Sequence, residues 1–144
     1  MIVAVDAKLE SSDAEGTEAA ETQIVAEYKK LYSDSSETRL KTAVEKIQRI
    51  EKELRELGAG IELIKLKKQN SIGSYFLCKT VDGLQRLNAM FKSGTLKTML
   101  ENVFNCLLAS EIRTRIENLS TDQDDYDKCR KYLNSMTGIN LTLK

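Results

Sequence analysis

The chain is 144 residues long, with 22 acidic and 22 basic side chains, 41% hydrophobic residues and no His, Trp or Pro. That length and balance predict one soluble globular domain with a sizeable core, and the missing His removes the commonest general base near neutral pH and the commonest metal ligand. Charge is uneven: residues 1–37 hold nine acids against Lys8, Lys29 and Lys30, which leaves the remainder mildly basic and suited to an acidic partner or to its own leader.

In chain order, Ile2 to Leu9 reads as a short strand. Glu10 to Glu21 is small, polar and acidic, a composition that buries too little apolar surface to offset its ordering entropy, and reads as a linker. Residues 1–22 are therefore assigned to a flexible acidic leader and residues 23–144 to a single domain. Ile24, Val25, Tyr28 and Leu31 recur at helical spacing up to the cluster Ser33 to Ser36, where Ser35 or Ser36 can cap the next helix. That helix carries Leu40, Ala43, Ile47, Ile50, Leu54 and Leu57 at spacings of three and four, and Gly58 and Gly60 end it. The stripe fits either an amphipathic helix packed on a sheet or a structural oligomerisation seam, Leu40 to Leu57, pairing two chains.

Ile61 to Lys68 is a strand whose apolar phase changes at Leu63-Ile64, the mark of a bulge or of burial on both faces. After a turn through Gly73, Ser74 to Lys79 returns as the second arm of a hairpin. Of the neighbours Tyr75 and Phe76, alternation sends one to the core and leaves the other available for contact. Thr80 caps a helix bearing Val81, Leu84, Leu87 and Phe91, which Gly94 closes in a left-handed conformation. Thr95 opens another, with Leu96, Met99, Leu100, Val103, Phe104 and Leu107 on one face. Ile112 to Ile116 alternates as a strand, and Ser120 to Gln123 matches a capping box for a helix lined by Tyr126, Cys129, Leu133 and Met136. Ile139, Leu141 and Leu143 alternate in a final strand. The plan is α+β, a mainly antiparallel sheet with helices packed on one face.

Chemistry is harder to find in this pattern. Asp122, Asp124, Asp125 and Asp127 form the one dense acidic cluster of the body, but they lack the Gly and the bidentate Glu of a calcium loop and suit the first turns of a helix. There is no phosphate-binding loop or nucleophile elbow, and any Ser or Cys nucleophile lacks a His partner. Cys78, Cys106 and Cys129 are far apart and without C-x-x-C spacing, so they read as small buried hydrophobes and not as zinc ligands or a disulfide framework. No basic stripe is interleaved with aromatics, which argues against nucleic acid. No apolar run approaches membrane-spanning length and the amino-terminal apolar patch is too short for a signal peptide, so the predicted compartment is cytoplasmic. The expectation is a non-enzymatic chain without cofactor or metal.

The ordered set so assembled carries a resemblance. Helix Leu40 to Leu57, then Gly58-Ala59-Gly60-Ile61-Glu62-Leu63-Ile64-Lys65-Leu66 leading into a hairpin, then Phe91-Lys92-Ser93-Gly94-Thr95-Leu96 joining two amphipathic helices, resembles the TRADD N-terminal domain family of tumour necrosis factor receptor signalling adaptors. Ile112 to Ile116 and Asp125-Tyr126-Asp127-Lys128-Cys129 look like that family's next strand and its Cys-bearing last helix. The resemblance implies a ferredoxin-like α/β sandwich that recruits a protein partner, a TRAF adaptor in the vertebrate case, in death or innate immune signalling. On that reading Lys67, Lys68, Asn70 and Ser71, at the hairpin turn, are the candidate partner-binding residues, and oligomeric state is left open.

Overall fold

Val3, Val5, Ala7 and Leu9 alternate along β1 (Ile2–Leu9) and all four are buried, which commits one face of this strand to the core. The computed structural model describes residues 2–10, 14–33, 41–58, 60–68, 71–108, 112–121, 126–133 and 135. In it the other strands are β2 (Ile61–Lys68), β3 (Ile72–Cys78) and β4 (Ile116–Thr121), and the sheet order is β2-β3-β1-β4, antiparallel throughout. Helices α1 (Ala14–Ser33) and α2 (Lys41–Leu54) link β1 to β2, with a 3-10 turn at Arg55–Leu57 after α2. Helices α3 (Val81–Ser93) and α4 (Thr95–Leu107) link β3 to β4, and residues 126–133 form α5. This is the β-α-β-β-α-β order of a ferredoxin-like sandwich with both helical connections doubled, so the α+β class is observed.

One face of the sheet is the core. Val3 pairs with Phe76, Val5 with Ser74 and Ala7 with Ile72, while Ile61 and Leu63 meet Cys78 and Phe76 from the other side. Over these residues lie Ile24, Tyr28 and Leu31 of α1, Leu84 and Leu87 of α3, and the six buried residues of α4 from Leu96 to Leu107. Tyr28 Oη donates to the Leu63 carbonyl at 3.0 Å, so α1 is tied to β2 by a buried polar contact as well as by packing.

Four sequence readings need correction. The strand read at Ile2 to Leu9 is present as β1, but as an inner strand of the sheet and not within a flexible leader, and α1 begins at Ala14, inside the segment read as a linker. The run Ala14 to Thr22 is low in hydrophobicity but rich in Ala and Glu, which have high helix propensity, and half-buried Ala20 with buried Glu21 continues the stripe of Ile24. The last described strand is Ile116–Thr121, not Ile112 to Ile116. Asn105 takes both backbone groups of Thr114 (N–H to Oδ1 2.8 Å, Nδ2 to C=O 3.1 Å) and Glu101 accepts from the Ile116 N–H at 2.8 Å, so α4 side chains bind this segment where a strand neighbour would. Ser120 and Thr121 accordingly belong to β4 and are not a helix cap. Finally, α2 packs on α4 rather than on the sheet, burying Ile50. Leu40, Asn70, Asp122 to Asp125, Met136 and the alternating run Ile139 to Leu143 lie outside the described residues.

The α2 end and the α3 start are locked together. Arg86 of α3 donates to the carbonyls of Leu57 (2.8 Å) and Glu56 (2.7 Å), and Lys79 N–H donates to the Gly60 carbonyl at 2.8 Å. Thr80 caps α3, as the sequence predicts, by accepting from the Gly83 N–H at 2.9 Å. A Cβ on Gly83 would stand 2.8 Å from the Gly60 carbonyl oxygen, whereas one on Gly94, at φ +87°, would meet nothing within 4 Å. Helix propensity alone favours Ala at position 83 by about 1 kcal/mol; the backbone contact opposes it and cannot be relieved by a rotamer change. Gly83→Ala is expected to lower stability by about 1–3 kcal/mol, and Gly94→Ala by about 1 kcal/mol through backbone strain alone. Urea unfolding of both variants checks this, and a Gly83→Ala protein as stable as the parent would refute the contact argument.

Candidate protein-interaction face

Because the described helices gather on one side, the opposite side of the sheet carries no described element. Its residues come from the alternate positions of each strand. On β3 these are Gly73, Tyr75 and Leu77; on β1, Ile2, Ala4, Asp6 and Lys8. β2 supplies Lys65 and Lys67, which pair with Tyr75 and Gly73 respectively. Between Leu63 and Lys65 the register shifts by one residue, so the phase change read in the sequence is a bulge and leaves Ile64 exposed at 40%. Phe76 is the core member of its pair and Tyr75 the outward one, half-buried.

Tyr75 lies across Gly73: a Cβ built on Gly73 would stand 3.3 Å from the Tyr75 ring. A glycine two residues before the tyrosine, on the same face, gives the ring room to lie against the strand, where a Cβ would crowd its edge. Lys65 Nζ is 6.0 Å from the ring centroid, at the outer reach of a cation–π contact. Lys65 and Lys67 form no ion pair among the described residues, while the pairs Lys8–Glu117 and Lys79–Glu62, each 3.8 Å and exposed, occupy the flanks. Such exposed pairs contribute little to stability. The face therefore presents apolar Ile2 (50% exposed), Ile64 and Leu77, one oriented aromatic ring and two unpaired cations.

The four residues singled out from the sequence do not form one surface. Lys67 lies on the open face. Lys68, next along the strand, points to the helical side and meets Glu18 of α1 at 3.4 Å. Ser71 is half-buried just before β3, and Asn70 lies outside the described residues. Reading the turn as a unit misses the strand period, which separates Lys67 from Lys68 and joins Lys67 to Lys65 and Tyr75. The signal that could find the face is the same-side spacing Gly73, Tyr75, Leu77.

Lys68 also bears on a buried acid. Glu21 is 8% exposed and its Oε2 has no hydrogen-bond partner among the described residues. Burial pushes its carboxyl pKa up, with Lys68 opposing and Glu18 adding to the shift. Of the cysteines, Cys78 and Cys129 are buried as the sequence predicts, and burial together with the nearby Cys129 pushes the Cys78 thiol up to about 11. Cys106 is half-buried at the surface of α4. Among the described residues no helix is long and apolar enough to cross a membrane. In comparisons with known proteins, no family model, no curated protein and no solved structure matches the chain.

A carboxyl whose folded pKa lies above its unfolded value costs stability once it ionises, so the penalty is absent below the unfolded pKa near 4.5 and grows as pH rises through the folded one. Glu21→Gln should therefore melt higher than the parent at pH 7, with the two converging near pH 4. A gain that persists at pH 4, or a loss at pH 7, would show that Glu21 acts in another way.

Proposed function

We propose that the chain is a cytoplasmic, non-enzymatic adaptor module similar to the TRADD N-terminal domain, recruiting a signalling protein of the TRAF adaptor kind to its open sheet face. The observation that carries this reading is Tyr75 laid over Gly73 between Lys65, Lys67 and the exposed apolar residues Ile2 and Ile64. An aromatic ring packed over Gly73 between Lys65 and Ala4 offers contact area at low entropic cost, the usual make-up of an interface anchor. The outer edge of β2 is a poorer docking site, since its bulge and its lysines discourage strand addition. The other function suggested by the sequence, oligomerisation through the seam Leu40 to Leu57, has less to offer, because Ile50 and Leu57 of that seam are buried within the chain.

The reading is tested by titrating the purified chain with a TRAF-type adaptor domain. Tyr75→Ala combined with Lys65→Glu should weaken binding roughly tenfold or more, with circular dichroism unchanged, whereas Lys68→Ala with Ser71→Ala should leave it within about twofold, since a side chain outside the contact carries little binding energy. Absence of binding by the parent, or equal binding by both variants, counts against it.

A further inference from the structure

The helical side of the molecule has an opening of a different kind. A groove of about 590 Å³ lies between α2, the second half of α4 and the segment that leads into β4. Lys46, Arg49 and Glu53 line it from α2, and Arg113 and Ile112 from the opposite wall. Two of its charges are already engaged: Lys46 pairs with Glu27 at 3.2 Å, and Glu53 accepts from Asn102 Nδ2 at 3.2 Å. Arg49 and Arg113 are exposed and have no hydrogen bond or ion pair among the described residues. Their guanidiniums, from two separate elements, outnumber the one carboxylate of the lining, Glu53, whose hydrogen bond from the neutral Asn102 amide leaves its negative charge in place.

The backbones that carry these arginines are fixed. Ile50, beside Arg49, is fully buried, holding α2 to α4. Arg113 precedes Thr114, whose N–H and C=O are both held by Asn105, so its position along α4 is set by two hydrogen bonds. Apolar surface adjoins the charge, with Leu108 buried and Ile112 exposed at 40%. None of the lining residues is aromatic, so the groove offers no platform for stacking a nucleobase. A free phosphate would use the guanidiniums and gain nothing from Ile112.

We infer that this groove docks an acidic peptide segment of a partner protein, with carboxylates on Arg49 and Arg113 and an apolar side chain against Ile112. Charge complementarity selects the acidic residues, since a guanidinium holds a carboxylate through two parallel hydrogen bonds, and the apolar contact separates such a segment from a simple anion. The site is independent of the open sheet face and does not rest on the adaptor reading. It adds a second docking surface, on the helical side of the same small fold.

The test is fluorescence polarisation of the full chain with a short labelled peptide of Glu-Leu-Glu repeats. Saturable binding is expected that weakens with added salt, falls tenfold or more in Arg49→Glu with Arg113→Glu, falls severalfold in Ile112→Ser and is unchanged in Tyr75→Ala. Both arginines are exposed and have no ion pair among the described residues, and thermal melts of the variants check that the fold is retained. Absence of saturable binding, binding indifferent to the arginine reversals, or displacement of the peptide by inorganic phosphate or a single-stranded oligonucleotide at comparable concentration each overturns the proposal. Loss of peptide binding in Tyr75→Ala alone would also overturn it, by moving the acidic segment to the sheet face and leaving the adaptor reading intact.

Discussion

The constraint on which the rest of the fold depends is that β1 is hydrogen-bonded along both edges, to β3 on one side and β4 on the other. Both of its partners arrive much later in the chain, so the first strand cannot be completed until these long-range neighbours are in place. With β1 between β3 and β4, the chain must cross from β1 over β3 to reach β2, and from β3 over β1 to reach β4. The two crossovers step in opposite directions from strands that run in opposite directions. The right-handed preference of such connections then places both on the same side. The gathering of the described helices on one side, with no described element over the other, thus follows from one strand order.

The core side shows how that arrangement is held. Val3, Val5, Ala7 and Leu9 form an apolar rail along β1, and α1, α3 and α4 bring matching stripes over the sheet. Polar contacts are few and placed at junctions: Tyr28 to Leu63, Arg86 to the α2 end, Asn105 to Thr114. Each holds a backbone group at a junction between elements, and such a bond is worth about 1 kcal/mol. Two buried oxygens, on Glu21 and Ser74, find no partner among the described residues, and both sit on the core side rather than on the candidate face. Neither belongs to a docking surface.

Much of this was legible in the sequence because the signals were local. Gly94 does close α3 in the left-handed conformation, Thr80 does cap it, and the phase change at Leu63-Ile64 is a bulge. What was not legible depends on partners distant in sequence. Ile112 to Ile116 alternates like a strand, yet Asn105 and Glu101 claim the backbone of Thr114 and Ile116, an interaction that no periodicity reveals. Ala14 to Glu21 reads as linker by hydrophobicity and is helix by propensity, a conflict resolved only when Ala20 and Glu21 find the sheet beneath them. The hairpin turn points to Lys67 alone among the residues of the candidate face; Lys65, Gly73 and Tyr75 join it through the register of β2 on β3, which the turn does not specify.

That register links the interior to the surface. The Leu63 carbonyl is held by Tyr28 from within the core, and immediately after Leu63 the extra residue Ile64 shifts the pairing. Without the shift, Leu66 would lose its place opposite Ser74 on the core face and Lys65 its place beside Tyr75. The bulge therefore serves two ends at once: it lets Leu63 and Leu66, three residues apart, both reach the core, and it sets a lysine and an isoleucine together next to the oriented ring. A core demand, the burial of both leucines, is what assembles the apolar and cationic edge of the open face.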